Sequence, residues 1–193
     1  MLIKFVGMGV LSLALFTGCA ITTFKVGERN TQTGYFESRG EATILISAPA
    51  DLDQLRSLVV VKNLELLRSQ TLNINYFDEV MTIGELEQEI IRNGLAEQVP
   101  SVRRANGLAA AANYYREFLV LDLVLKRYEG AEHNSMQISL FDPMTTEYLF
   151  AAKTDIVYGL VDQAHIYPLY NALIDYIEDN SKDYNRFQAL YAY

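Results

Sequence analysis

Three apolar stretches follow one another between residues 118 and 158, and none has the spacing of a helix. Phe118–Tyr128, Met136–Phe141 and Tyr148–Tyr158 are rich in branched and aromatic residues, as strands are. Asp142-Pro143-Met144-Thr145-Thr146-Glu147 joins the last two with turn-forming chemistry. Three consecutive strands form a meander, and a meander needs something apolar to lie on.

The upstream half supplies it by alternating two periodicities. Thr43-Ile44-Leu45-Ile46-Ser47 reads as a short buried strand closed by Pro49. Asp51–Gln70 repeats Leu52, Leu55, Leu58 and Leu66 in a helical stripe, with Asp51 placed to cap it. The Val59-Val60-Val61 run works against that helix, because branched residues lose rotamer freedom there. Asn73–Val80 alternates Ile74, Tyr76 and Val80, as a strand does. Thr82-Ile83-Gly84-Glu85 is a capping box opening a helix that buries Leu86, Ile90 and Ile91, with Asn93-Gly94 as its stop. An alanine-rich helix over Ser101–Tyr115 and a closing amphipathic helix over Ala164–Asn180 complete the order. The expected class is α/β (α+β), a single mixed sheet of about five strands with helices packed on it.

The amino terminus is of another kind. Lys4 precedes an apolar run, Phe5–Phe16, that is too short to span a bilayer. It ends in Leu15-Phe16-Thr17-Gly18-Cys19, which resembles a lipobox, the site where bacterial lipoproteins are acylated and cleaved. Cys19 is the chain's single cysteine, so no intramolecular disulfide is available. The resemblance implies a signal peptide over 1–18 and lipid, such as palmitate, on Cys19. Acyl chains contribute about 0.8 kcal/mol per buried methylene, and two or three together anchor durably. Ala20, where an Asp would imply retention at the inner membrane, implies transfer to the outer membrane, facing the periplasm. Residues 19–40 are polar with Gly27, Gly34 and Gly40 and read as a lipidated flexible tether, of which Gly34-Tyr35-Phe36 has the apolar character to pack on the domain. The domain then occupies 41–180, and 181–193 form an aromatic carboxy-terminal tail.

Charge narrows the partners. The formal charge is −8, and loss of residues 1–18 removes Lys4 and no acid, leaving about −9. Nucleic acid and anionic headgroups both call for clustered Lys and Arg, so neither is an expected partner. Catalytic patterns are missing from the sequence. His133 and His165 have no second ligand type at metal spacing, and no nucleophile elbow, phosphate loop or dinucleotide fingerprint occurs. His133 reads as a loop residue between strands, and His165 as a cap or surface residue opening the last helix. Asp175, Glu178 and Asp179 fall near that helix's carboxyl end, where acids are locally unfavourable. A solvated face accounts for them, as does a surface for a divalent ion or a basic partner. The expectation is a non-enzyme with no cofactor, no metal and no small-molecule substrate.

Several segments resemble a superfamily of envelope domains that includes the TolB amino-terminal domain, the curli secretion lipoprotein and the lipoprotein activators of penicillin-binding proteins. Asn75-Tyr76-Phe77-Asp78-Glu79-Val80 is similar to its "F-D-x-V" strand, and Glu85–Gly94 to the helix that follows. Ala109–Leu121 is similar to its "A…GADYVL" segment, with Asn113-Tyr114-Tyr115-Arg116-Glu117 lacking the glycine. Leu140-Phe141-Asp142 through Tyr148-Leu149 resembles its "L-x-D-x-x-T-G-E" hairpin, with Thr146 in the glycine's place. The resemblance spans roughly residues 43–180 and implies a fold rather than an activity.

Thirteen Tyr and nine Phe, with no Trp, leave aromatic side chains to place. Tyr184, Phe187, Leu190 and Tyr191 would share one side of a helix, either as a partner surface or packed back as core. Tyr167, Tyr170 and Tyr176 carry the same two readings. The functional expectation is a lipid-anchored periplasmic adaptor that binds or regulates another cell-envelope protein. The alternative is a subunit of a self-assembling lipoprotein ring or of a secretion or flagellar-associated complex.

Overall fold

The computed structural model describes residues 27–191 except 39, 63–64, 127–132 and 158–164. The elements are β1 (Thr43–Ser47), β2 (Ser57–Val60), α1 (Glu65–Leu72), β3 (Glu79–Thr82), α2 (Ile83–Arg92) and α3 (Ala105–Tyr114), followed by β4 (Leu119–Lys126), β5 (His133–Asp142), β6 (Glu147–Val157) and α4 (Tyr167–Asn180). They form one mixed sheet of six strands in the order β1-β6-β5-β4-β2-β3, with helices packed on it. β2 runs parallel to both β3 and β4, while β4, β5, β6 and β1 pair antiparallel in turn.

The sixth strand is where the expected helix over Asp51–Gln70 fails. Leu58, Val59 and Val60 are fully buried between β3 and β4, and a continuous apolar run suits a strand covered on both faces. The valines that weakened the helix thus belong to β2, and helix begins only at Glu65. Asp51 caps nothing; its Oδ1 accepts from the Asp53 amide at 3.2 Å in a turn. The strand expected over Asn73–Val80 is displaced to Glu79–Thr82, because Asn75 turns the chain at φ 54° and Tyr76 and Phe77 plug the core from a loop.

Local signals hold elsewhere. Thr82 and Glu85 make both halves of the capping box, which draws the Glu85 pKa below its ordinary value through the Thr82 amide. Gly94 adopts φ +70° and donates to Ile91 O at 3.0 Å, closing α2. Ile90 is buried but Ile91 is 69% exposed, one position too far round the helix to reach the sheet. In α3 a Cβ on Gly107 would stand 2.1 Å from Ser101 O, so only glycine lets the helix approach the 100–101 backbone. His133 lies within β5, which begins earlier than the loop reading allowed.

Side-chain alternation divides the core into two layers. Leu119, Leu121 and Leu123 of β4 face α1 and α4, together with Met136, Ile138 and Leu140 of β5 and Phe150, Ala152 and Ile156 of β6. Phe118 and Val120 face α2 and α3, with Val59, Met81, Leu86 and Leu108. Among the described residues, β6 and β1 contribute nothing to that second layer.

Candidate interaction surface at the β1 edge

β1 is the last strand of the sheet, and its five residues are all exposed, Ile44 at 49%, Leu45 at 46% and Ile46 at 37%. The expectation of a buried strand is corrected here: its limits are as expected, but among the described residues no element covers it. The β6 register slips between Ile44 and Ile46, so Leu45 is an extra residue in a β-bulge. Ile44 pairs with Ala152 and Ser47 with Phe150, on the α4 side, whereas Ile46 pairs with Ala151, which lies outside that layer.

On the α4 side a groove of about 690 Å³ opens between β1 and α4. Its apolar floor is Ile44, Phe150, Pro168 and Ala172, and its rim carries Glu41, Asp175 and Asp179. α4 holds the far wall rigidly. Tyr176 stacks on Phe150 with ring centroids 5.1 Å apart and donates to Ala48 O at 2.8 Å. Asn180 Oδ1 accepts from the Ala50 amide at 2.8 Å, and its backbone oxygen accepts from Leu52. Burial pushes the Tyr176 phenol up to about 12.

Tyr35, Ser38 and Gly40 also line the groove, and Tyr35 is held there by the docked segment Arg29–Phe36. Phe36 is buried against the rings of Tyr167 and Tyr170, at 5.3 and 5.9 Å. Its amide donates to Asn171 Oδ1 and its carbonyl accepts from Asn171 Nδ2, both at 2.9 Å. The Tyr35 hydroxyl donates to Asp175, and Arg186 bridges Asp175 and Glu178 at 3.0 Å each. Desolvation first, then the Asp175 hydrogen bond, raises the Tyr35 pKa to about 12. Arg29 is buried and donates to Gly34 O at 2.8 Å, to Ile74 O at 2.7 Å, to Tyr184 Oη at 3.3 Å and to Arg186 O.

The tail residues singled out by spacing do not share one helical side. Tyr184 is core, its hydroxyl donating to Ile74 O at 3.0 Å and its ring set edge-on to Tyr76. Beyond it, among the described residues, a 3-10 turn, Gln188–Leu190, takes the place of a longer helix; Phe187 and Tyr191 are exposed and Leu190 is half-buried. Tyr167, Tyr170 and Tyr176 are buried on α4. Asp53 binds Ser181 and the Lys182 amide, and the Ser181 hydroxyl first of all lowers its pKa. His165 is half-buried in the turn before α4. Cys19 and the leader lie outside the described residues, as does most of the tether's amino-terminal half. Among the described residues no cluster of three or more metal-ligating side chains occurs, and no helix is long and apolar enough to cross a membrane.

Sequence reasoning missed the exposure of Ile44, Leu45 and Ile46 and the role of Asn171. The signal for the first was Pro49, since proline and short length are marks of an edge.

No family model matches the chain, and no curated protein matches it. Solved structures with partial likeness include the carboxy-terminal domain of LpoB from Salmonella enterica, at 16% identity and TM-score 0.34 over 58% of this chain and 86% of that one. Lipoprotein GNA1162 from Neisseria meningitidis is 14% identical, with TM-score 0.38, over 64% and 97%. The PelC dodecamer from Paraburkholderia phytofirmans is 12% identical, with TM-score 0.35, over 69% and 94%. Likenesses this loose transfer neither a partner nor an assembly to this chain.

Proposed function

We propose that this chain is a non-catalytic adaptor, acylated on Cys19, held at the outer membrane facing the periplasm, and offering its domain to another cell-envelope protein. The lipobox-like Leu15–Cys19 supports the anchor. The observation that carries the adaptor reading is β1, an open sheet edge with three consecutive exposed aliphatics. Exposed apolar edges are costly to keep in a monomer and mark partner contacts.

Docking of Arg29–Phe36 sets the reach of the anchor. Only eight residue steps separate Cys19 from Gly27, a span of at most about 29 Å even when fully extended. The domain therefore works close to the bilayer, at high effective concentration for any neighbour there. Phe187 and Tyr191 offer a second, smaller aromatic surface at the carboxyl end.

The test joins both parts. Mass spectrometry of the mature protein should find an acylated amino-terminal cysteine, and Cys19→Ser should release the chain from membranes. A photocrosslinker at position 45 should capture a discrete envelope protein, while one at position 91, exposed on α2, should not. A self-assembling ring is the second reading, because the sheet leaves both β1 and β3 as open ends for head-to-tail contact. Light scattering in detergent separates them: a discrete large species is expected of the ring and not of the adaptor.

A further inference from the structure

The groove beside β1 has a charge as well as a shape. Glu41, Asp175 and Asp179 rim it, and the adjoining hollow at the end of α4 adds Asp51, Asp53 and Glu178. Arg186 answers Asp175 and Glu178, and Lys182 lies in the adjoining hollow. Among the described residues no cation answers Glu41 or Asp179. The last turn of α4 has no basic residue, so its carboxyl end adds the helix dipole's negative pole to the same spot. Lys153, opposite Thr43, stands on the other face of the sheet from the layer of Ala152 and the groove-lining Phe150.

We propose that this groove receives a short, extended, basic segment of a partner protein, which lies along β1. Its apolar side chains rest on Ile44, Phe150 and Ala172, and its Lys or Arg side chains reach Asp179 and Glu41. The segment pairs with β1 over a few residues only, since the bulge at Leu45 and Pro49 break the open ladder. The same features argue against symmetric pairing of β1 with the β1 of a second copy of this chain. Two copies would bring two acidic rims together, in a molecule already at −8, and would need an unbroken ladder on both sides. An acidic rim around an apolar floor fits a partner with the opposite charge and the same apolar spacing.

The inference rests on the adaptor reading, and its test is independent of the anchor. The full mature chain in detergent is titrated with three labelled nine-residue peptides. One alternates Lys with Val, one alternates Glu with Val, and one is the Lys peptide with a central Pro. Amide spectra and fluorescence anisotropy are the readouts. The Lys peptide is expected to bind and to shift Ile44, Ala172 and Asp179, and the other two to bind about tenfold more weakly or not at all. The double change Glu41→Lys and Asp179→Lys, with an otherwise unchanged spectrum, should cost the Lys peptide about tenfold and restore binding of the Glu peptide. Equal binding of acidic and basic peptides, no binding of either, or indifference to the charge reversal overturns the proposal. Concentration-dependent dimerisation abolished by Ile44→Lys also overturns it, in favour of self-pairing. An unacylated Cys19 would sink the anchor and leave these peptide results standing.

Discussion

Two neighbouring segments, Arg29–Phe36 and Thr43–Ser47, exchange the fates their compositions suggest. The first is polar and glycine-bearing, yet Arg29 and Phe36 are buried and tied to α4, to the Ile74 carbonyl and to the chain beyond α4. The second is the more apolar of the two, yet every residue in it is exposed. Position decides. A single aromatic that reaches Tyr167 and Tyr170 gains burial, whereas aliphatics on the last strand have a neighbour on one side only. Hydropathy measures what a segment would gain from burial, and topology determines whether a covering element is there.

The comparison breaks most readily at Phe36. Phe36→Ala should destabilise the mature chain by about 3–4 kcal/mol, the scale of emptying a buried aromatic site. Urea unfolding of the detergent-solubilised protein measures it. A loss below about 0.5 kcal/mol would mean that 29–36 is a tether after all. Arg29→Met comes next, at about 1–3 kcal/mol, because it leaves the Gly34 carbonyl without its buried donor and the Ile74 carbonyl with the Tyr184 hydroxyl alone.

Alkaline titration sharpens the same contrast. Burial favours the neutral phenol, so Tyr35, Tyr176 and Tyr184 each have a folded pKa of about 12 against an ordinary 10.0. A raised folded pKa gives stability that is intact below the unfolded value and lost as pH climbs through the folded one. The window of loss is therefore between about 10 and about 12. The chain has no tryptophan, so tyrosinate absorbance reports the event cleanly. For Tyr184, desolvation raises the pKa and the Arg29 cation lowers it. Arg29→Met should hence delay Tyr184 ionisation if the segment stays docked, and advance it if the segment leaves.

How far the fold could be read from sequence follows the same division. The capping box at Thr82, the stop at Gly94, the hairpin at Asp142–Glu147 and the closing helix are local signals, and each appears where its residues place it. β2 was hidden because Leu58–Val60 is buried on both faces and has no alternation to betray it. The site was half legible. Asp175, Glu178 and Asp179 stand out as acids at a helix end, but that Asp175 and Asp179 share a groove with Ile44 depends on β1 pairing with β6 across more than a hundred residues. Only the long-range pairing makes a groove of them. Thr146 shows the opposite case: it takes φ 61°, a left-handed conformation that a threonine in the sequence does not advertise, because the hairpin between β5 and β6 requires it.

The smallest stability effect falls on β1, and it is the most informative one. Leu45→Ser with Ile46→Thr removes aliphatic surface of which nearly half is already in contact with water, so the change in unfolding free energy should stay at about 1 kcal/mol. Thr retains the branched shape a strand favours, which keeps the β6 pairing intact. If these residues serve a partner, the double variant should fold and reach the membrane like the parent while losing the product that a photocrosslinker at position 47, on the same exposed strand, captures from the parent. A loss of several kcal/mol would instead show that β1 is covered in the working molecule by the chain itself. The exchange of fates between the two segments would then be undone at its exposed end.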